Sequence, residues 1–325
     1  GSLFGALVGR ALDEWWDQLG RPDPFLVVEA GAGRGRLARE ILRSEPACAA
    51  ALRYVLVERS PALRAAQREL LAIEPEEDAL GPFVSAPGDE VPDPIPGCGP
   101  IVTALDELPG SPFEGVVLAN ELLDNLPFDV VERTERGWDE IRVGLAAGEL
   151  SEVSVPAADA LIPAFDVPVG SRLPVQRALE EWIGQAGAVL RRGVVVVIDY
   201  AAPAAELVTR GRSGWLRTFR RHSRGHDPFD DPGGRDITAD LVLETLLEAG
   251  SGARLDVTWK STQAEWLSRL GVDEIVADAR ARWTERAAIG DLDALTARST
   301  ITEAAALTDP AGLGAHTVVA FTKQA

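Results

Sequence analysis

The stretch FLVVEAGAGRGRLAREIL, residues 25–42, decides the fold of this chain. Its first five residues, Phe25 to Glu29, are typical of a buried parallel strand. Three glycines at alternate positions follow, and the spacing of Leu37, Ile41 and Leu42 then predicts a helix. A glycine turn between strand and helix lets a ligand approach the backbone closely, and the helix N-terminus offers N–H groups. The stretch therefore predicts a ligand-binding α/β unit.

The glycine spacing indicates which ligand this turn binds. Gly31, Gly33 and Gly35 follow the acid Glu29 in the pattern Glu-x-Gly-x-Gly-x-Gly. A dinucleotide turn of the form Gly-x-Gly-x-x-Gly would need glycine at the position that Arg36 occupies. The alternate-glycine form suits S-adenosylmethionine (SAM), whose carboxylate and ammonium need backbone and acidic partners. On this motif and the second strand described next, NAD or FAD, or neither of these nor SAM, stay open as alternatives.

A second strand with an acid at its end supports a nucleoside ligand. Residues 54–58, YVLVE, form a short apolar run that ends in Glu58, which is placed to accept both ribose hydroxyls. Ser60 and Pro61 then predict a helix start, with serine as N-cap and proline at the first helical position. Arg59 and Ser60 join the glycines, Glu29 and Glu58 as predicted cofactor-binding residues. Strand, glycine turn, helix, strand, acid and helix make half of a doubly wound sheet.

Longer blocks of the chain resemble the MidA-type SAM-dependent methyltransferases. The blocks occur in the family's order and are EAGAGRGRLAREIL (29–42), YVLVERSPALRAAQREL (54–70), GVVLANELLDNLPFDVV (115–131), VVVVIDYA (194–201), RTFRRHSRGHDPFDDPGGRDITADL (217–241) and TQAEWLSRLGV (262–272). This family includes a mitochondrial protein arginine methyltransferase that acts in the assembly of respiratory complex I. The resemblance implies a Rossmann-like class I methyltransferase sheet with helices on both faces, SAM as cofactor, and a protein substrate with arginine suspected as acceptor.

Polar residues at the ends of two further strands are the predicted catalytic groups. Asn120 and Glu121 follow the strand GVVLA, and Asp199 and Tyr200 follow VVVVI. Because ligands of open α/β sheets bind at the carboxyl ends of the strands, we expect these four residues near the methionine end of SAM and the nucleophile. Ala119 and Asn120 complete the predicted cofactor-binding set. The alternative is that residues such as Glu121 only cap or solvate the following helix.

Composition narrows the partners and the location. The formal net charge is −19, from 51 acidic and 32 basic residues, which argues against nucleic acid and favours a basic partner. The longest strongly apolar run, Val194 to Ile198, is too short to span a membrane. Cys48 and Cys98 show no disulfide framework, and no targeting peptide is evident. These features predict a cytoplasmic protein without membrane insertion.

The rest of the chain predicts one SAM-dependent methyltransferase domain over residues 1–325. Insertions around 122–175 and 201–310 are expected to form its substrate side. FDVVER (128–133) and WDEIRV (138–143) alternate like a hairpin, and residues 144–173 read as irregular. Residues 201–236 read as a long functional loop, after which Thr238 is expected to cap a helix.

Two histidines in the predicted loop could suggest a metal site. His222 and His226 lie four residues apart with Asp227, Asp230 and Asp231 nearby. The surrounding glycines and prolines argue against a rigid helical pair, so we predict no metal.

Three functions remain compatible with the sequence. The preferred one is a SAM-dependent protein methyltransferase. A small-molecule O- or N-methyltransferase is the alternative enzyme, because the fold does not identify the acceptor. A SAM-binding but catalytically idle assembly factor is the alternative outside enzymes.

Overall fold

The computed structural model describes residues 1–81, 96–159, 166–220, 223–225 and 227–324. Within these residues the helices are α1 (Ser2–Gln18), α2 (Arg36–Arg43), α3 (Pro61–Gln67), α4 (Glu76–Leu80), α5 (Arg177–Val189), α6 (Ala204–Arg210), α7 (Arg212–Trp215), α8 (Leu243–Gly252), α9 (Gln263–Arg269), α10 (Val272–Arg286) and α11 (Leu292–Leu307). The strands are β1 (Phe25–Ala30), β2 (Leu52–Val57), β3 (Ile101–Leu105), β4 (Phe113–Asn120), β5 (Asp129–Thr134), β6 (Gly137–Ala146), β7 (Glu149–Pro156), β8 (Arg172–Val175), β9 (Leu190–Asp199), β10 (Ala201–Ala202), β11 (Leu216–Arg220), β12 (Ser223–Gly225), β13 (Asp236–Ala239), β14 (Leu241–Val242), β15 (Asp256–Thr262) and β16 (Thr317–Lys323).

The chain forms two compact units. The first, here called the sheet unit, contains Gly1–Asn120, Gln185–Ile198 and Leu255–Ala325. The second, here called the insert unit, contains Glu121–Gly184 and Asp199–Arg254. The organisation as a single methyltransferase domain stays a prediction.

The sheet unit is built on a seven-stranded sheet among the described residues. Its strands lie in the order β15-β16-β9-β4-β1-β2-β3. β1 pairs in parallel with β2 on one side and with β4 on the other, and β2–β3 and β4–β9 are also parallel. From β1 the chain therefore first adds strands on one side and then on the other. Ligands of open α/β sheets bind at such a switch point, outside the carboxyl ends of the strands.

Local sequence explains why the central strands and their helices form. Every residue of β2 is buried, and in β1 only Leu26 is partly exposed, as expected for strands covered on both faces. Ser60 accepts a hydrogen bond from the Leu63 N–H and Pro61 opens α3, so the predicted helix start is confirmed. Thr262 and Glu265 form a capping box that starts α9.

The insert unit contains a four-stranded antiparallel sheet in its described part. The order is β7-β6-β5-β8, and β5 and β6 form the predicted hairpin, with Thr134 opposite Gly137. A second group of antiparallel strands, in the order β12-β11-β13, follows later in the chain. Val131, Leu173 and Trp215 are fully buried in the core of this unit.

Three secondary-structure predictions were wrong, and one strand was not predicted. The described part of residues 144–173 is not irregular throughout, because β7 pairs with β6 along its whole length and β8 pairs with β5. The described part of residues 201–236 contains β10, α6, α7, β11 and β12 rather than one loop. Thr238 caps no helix; it lies in β13 opposite Arg217, and α8 begins at Leu243. The strand β3 was missed. These strands are short or partly exposed and depend on pairing with distant residues, which local patterns do not reveal.

Candidate functional site

The glycine turn at the carboxyl end of β1 has the backbone geometry that its sequence predicts. Gly31, Gly33 and Gly35 have φ angles of 70°, 54° and 76°, in the left-handed region that L-residues rarely adopt. The Gly35 N–H donates to the Ala32 carbonyl at 2.8 Å, and α2 begins directly after Gly35. A Cβ added at Gly33 would have no neighbour within 4 Å, whereas one at Gly35 would lie 2.9 Å from Leu71. The turn is thus open at its middle and packed at its helix end.

Glu58 is held in a fixed orientation next to this turn. Its Oε2 accepts from the Gly33 N–H at 2.9 Å, and its Oε1 accepts from the Ser60 N–H at 2.8 Å. A carboxylate oxygen can accept two hydrogen bonds, so each oxygen keeps acceptor capacity for a ligand hydroxyl. Ser60 uses its hydroxyl to cap α3, and Arg59 is exposed. The structure therefore brings Glu58, Arg59 and Ser60 to the glycine turn.

Glu29 lies beneath the turn rather than on its surface. Its side chain is 5% exposed, and its Oε2 accepts from the Tyr54 hydroxyl at 2.8 Å. Burial raises the pKa of the Glu29 carboxyl to about 7, against the opposing effects of the hydrogen bonds from Tyr54 and from the Ala38 backbone. The acid at the strand end thus loses or gains its charge near neutral pH.

The neighbouring strand β4 ends at the same edge of the sheet. Ala119 pairs with Ala30 of β1, and Asn120 pairs with Ile198 of β9, all in parallel register. Ala119 is buried, whereas Asn120 is partly exposed. The carboxyl ends of β1, β2 and β4 therefore carry the predicted cofactor residues of the sheet unit together.

Sequence reasoning missed a further acid at this edge. Asp106 directly follows β3, whose Leu105 pairs with Val57 of β2. The Glu58 N–H donates to the Leu105 carbonyl at 3.0 Å, so the backbone of Asp106, the next residue, lies near that of Glu58. The signal was available in IVTALD (101–106), a short apolar run ending in an acid like that of YVLVE.

These residues fit a ligand with the chemistry of SAM. The open middle of the turn at Gly33 leaves room beside the backbone, and the oriented Glu58 carboxylate offers acceptors for ribose hydroxyls. The turn lies at the switch point of the sheet, where the fold places its ligands. The donor set contains carboxylates and backbone groups, as an adenosyl amino acid requires.

In the insert unit, Glu121 and Asp199 have very different environments. Glu121 is exposed and has a φ of 51°, which is strained for a non-glycine residue. The Asp199 side chain is 1% exposed, and it accepts from the N–H groups of Leu123 at 2.8 Å, Asp124 at 3.2 Å and Tyr200 at 2.8 Å. Asp199 therefore holds the short 3-10 turn that follows Glu121, and burial raises its pKa well above the usual range.

A cluster of charged and aromatic groups in the insert unit surrounds Tyr200. The Arg217 guanidinium lies over the Tyr200 ring, 4.2 Å from its centroid, and pairs with the buried Asp240 at 2.5 Å. Burial raises the pKa of the Asp124 carboxyl to about 6, although the Arg217 charge lowers it. The sequence around Arg217, RTFRRH, predicts no role for this residue, and only the folded chain shows what it contacts.

Other sequence features contribute no site in the described residues. His222 and His226 lie outside the described residues, and within the described ones no cluster of three or more His, Cys, Asp or Glu could hold a metal ion. Cys48 and Cys98 are both free thiols. Over the same described ranges, no helix has the length and apolar character needed to cross a membrane.

A mostly parallel sheet with a glycine turn at its switch point and an oriented acid after the next strand defines an α/β protein that binds an adenosine-type cofactor. Residues 7–261 match the family model described as "Putative S-adenosyl-L-methionine-dependent methyltransferase". The chain belongs to this family, so the predicted family and its SAM cofactor are confirmed.

Solved structures support the fold. A protein from Burkholderia thailandensis, described as a "likely methyl transferase" and crystallised with S-adenosyl-homocysteine, is 30% identical in sequence and superposes with a TM-score of 0.79. The match covers 99% of this chain and 77% of that one. The predicted Rossmann-like α/β class is therefore confirmed.

Curated relatives are named protein arginine methyltransferases. The mitochondrial NDUFAF7 homolog of Drosophila melanogaster is 28% identical over 267 residues, which is 75% of this chain and 56% of that protein. Human mitochondrial NDUFAF7 is 27% identical over 286 residues, or 83% of this chain and 62% of that protein. This chain thus spans less than two thirds of the length of these relatives. Because they are mitochondrial, the prediction of a cytoplasmic location is corrected and set aside.

Proposed function

We propose that this protein transfers the methyl group of SAM to a protein side chain, with the arginine guanidinium as acceptor. The observation that carries the proposal is the pair of acids that follows β4. Glu121 is exposed in a strained backbone conformation, and the pKa of Asp124, three residues later, is raised. The names of the curated relatives support arginine as the acceptor. Strain in an exposed acidic residue directly after a strand end is typical of functional sites.

In this proposal the cofactor-binding residues all belong to the sheet unit. The backbone of Gly31, Gly33 and Gly35 would receive the methionine moiety, with Ala119 and Asn120 beside it. Glu58 would accept from the ribose hydroxyls, next to Arg59 and Ser60. When bound, SAM supplies a methyl group already activated by its sulfonium, so these residues need only bind and orient it.

In this proposal the residues that bind the acceptor belong to the insert unit. A guanidinium is protonated at physiological pH, so a carboxylate must pair with it and remove a proton before or during attack. Glu121 would hold the guanidinium through paired, charge-assisted hydrogen bonds. Asp124, whose pKa is raised to about 6, would take the proton that the nitrogen loses as its N–C bond forms and the S–C bond breaks.

Asp199 and Tyr200 have supporting roles in this proposal. Asp199 fixes the backbone of Leu123 and Asp124, so it would position the acids rather than touch the acceptor. The Arg217 guanidinium lies over the Tyr200 ring, which is the kind of contact that an aromatic ring makes with a cationic group.

Methyl incorporation from labelled SAM tests the proposal. The protein is incubated with a cell extract and labelled SAM, and the products are separated by size and then hydrolysed to amino acids. We expect label in protein, recovered as methylarginine. Label in small molecules only, or protein label on another residue, would refute the arginine acceptor.

A charge-removing variant with a matched control sharpens this test. Glu121→Gln keeps the side-chain shape but loses the charge, so methyl transfer should fall by at least tenfold while S-adenosylhomocysteine binding stays unchanged. Glu135→Gln makes the same change at an exposed turn residue of the same unit and should behave as wild type. A protein that binds cofactor but methylates nothing in any extract would be a binding factor and not an enzyme.

A further inference from the structure

Two buried polar side chains meet beneath the glycine turn. The Tyr54 hydroxyl of β2 donates to Glu29 Oε2 of β1 at 2.8 Å, and the two side chains are 0% and 5% exposed. Burying a carboxyl group and a phenol is costly unless each has a hydrogen-bond partner. An apolar pair would fill this part of the core at lower cost, so the polar pair needs another explanation.

The same carboxyl also reaches the helix on the far side of the turn. The N-cap of α2 is Gly35, which has no side chain to bind the first N–H groups of the helix. The backbone of Ala38, the third residue of α2, is near enough to the Glu29 carboxyl to lower its pKa. Glu29 therefore lies beside the first turn of α2, where its negative charge favours the positive end of the helix dipole. One carboxyl thus ties together the strand before the turn and the helix after it.

We propose that Tyr54 and Glu29 are positioning residues for the cofactor. Tyr54 aims the Glu29 carboxylate at the start of α2, so that the glycine turn keeps its binding conformation. Protonation of Glu29 then weakens cofactor binding. This inference rests on the cofactor half of the proposed function and is independent of the methyl acceptor. Neither side chain needs to touch the ligand, because both act through the backbone between Gly31 and Gly35.

The surroundings of Glu29 determine the direction of the pH effect. Its neighbours in register are Leu56 on β2 and Leu118 on β4, both uncharged. Burial raises its pKa to about 7, the bonds from Tyr54 and Ala38 lower it, and no charged side chain of the described residues is among the causes. Raising the pH from 6 to 8 therefore converts Glu29 from mostly neutral to mostly charged. Cofactor affinity should rise over the same range.

The size of the effect follows from linkage between proton and ligand binding. If only the charged form of Glu29 holds the turn, the dissociation constant at pH 6 exceeds that at pH 8 by up to about tenfold for a pKa near 7. Calorimetric titration with S-adenosylhomocysteine at pH 6, 7 and 8 measures this ratio without requiring catalysis.

Two variants separate the roles of the pair. Glu29→Gln cannot ionise, so its affinity should be the same at all three pH values apart from titration of the ligand itself. Tyr54→Phe removes a bond that lowers the Glu29 pKa, so the rise in affinity should move to higher pH. A wild-type affinity that does not change with pH, or a Tyr54→Phe profile identical to that of the wild type, would overturn the proposal.

Tyrosine NMR provides a readout that needs no ligand. The chain has two tyrosines, so ring-labelled protein should give two tyrosine Cζ signals, which the Tyr54→Phe and Tyr200→Phe variants assign. The Tyr54 signal should titrate with a midpoint near pH 7 in the wild type and stay constant in Glu29→Gln. A constant Tyr54 signal in the wild type would overturn the inference even if a variant failed to fold. Wild-type protein that binds no S-adenosylhomocysteine at any pH would instead overturn the proposed function, and this inference with it.

Discussion

Replacement of Glu58 by alanine should weaken cofactor binding strongly while leaving the protein folded. Both carboxylate oxygens already accept a backbone N–H, from Gly33 and from Ser60. These bonds fix the carboxylate in place before the ligand arrives, so little entropy is lost when the ribose hydroxyls bind. Alanine removes the acceptors and also leaves the Gly33 N–H in the glycine turn without its partner.

The magnitude follows from the kind of hydrogen bond lost. A hydrogen bond to a charged group contributes about 1.5–3 kcal/mol. Since about 1.4 kcal/mol corresponds to a factor of ten, the dissociation constant for S-adenosylhomocysteine should rise roughly 10- to 100-fold. The loss of turn preorganisation acts in the same direction, so the larger value is the better expectation.

Isothermal calorimetry at one pH and salt concentration measures the change, and circular dichroism checks that the variant is folded. The control is Glu69→Ala, which removes an exposed carboxylate that pairs with Arg34 in the same unit. A surface pair of this kind contributes about 0–1 kcal/mol, so the control should bind nearly as the wild type does. Wild-type affinity in folded Glu58→Ala would refute the assignment of Glu58 to the ribose.

Three further predictions concern the insert unit. Arg217→Gln should lower the free energy of unfolding by about 1–3 kcal/mol, because it removes the guanidinium that pairs with the buried Asp240; an unchanged denaturation midpoint would contradict this. Asp124→Asn should gain stability relative to the wild type as the pH rises from 3.8 to about 6. Burial raises the pKa of Asp124 in the folded state, so the wild type loses stability across that window and the variant does not. A difference in melting temperature that stays constant with pH would show that Asp124 ionises normally. Glu121→Gly should raise the free energy of unfolding by about 0.5–1 kcal/mol, because glycine relieves the backbone strain at this position. The same variant should abolish methyl transfer. If it stays active, Glu121 does not bind the acceptor.

The central part of the fold could be predicted because its signals are local. β1, the glycine turn and α2 occupy consecutive residues, and each carries its own pattern: a buried run, alternate glycines and an apolar helix face. The same holds for Ser60 and Pro61 at the start of α3. Such signals depend on neighbours within a few residues, which a sequence shows directly.

The errors arose where strands depend on distant partners. The strand β7 exposes much of its surface, and its eight residues are ordered by pairing with β6. Thr238 precedes an apolar run, as a helix cap would, but its backbone pairs with Arg217 in β11. A pairing partner far along the chain overrides a weak local preference, so the local pattern predicted the wrong element.

The candidate site divides in the same way. Gly31, Gly33, Gly35 and Glu58 were identified from spacing, because a turn of this kind needs positive φ angles and an acid after the next strand. The contacts of Arg217 with Tyr200 and Asp240 could not be identified, because charged residues are common and nothing local marks which of them will be buried together.

The sequence by itself determined the family, the cofactor class and the edge of the sheet that binds the ligand, because these depend on short motifs whose backbone conformation is set within the motif. Only the tertiary structure decided that Glu29 is buried under Tyr54, that Asp199 holds a turn, and that burial raises the pKa of Asp124. Burial and long-range hydrogen bonding set the charge state of a carboxyl group. Both exist only when distant segments are packed against one another.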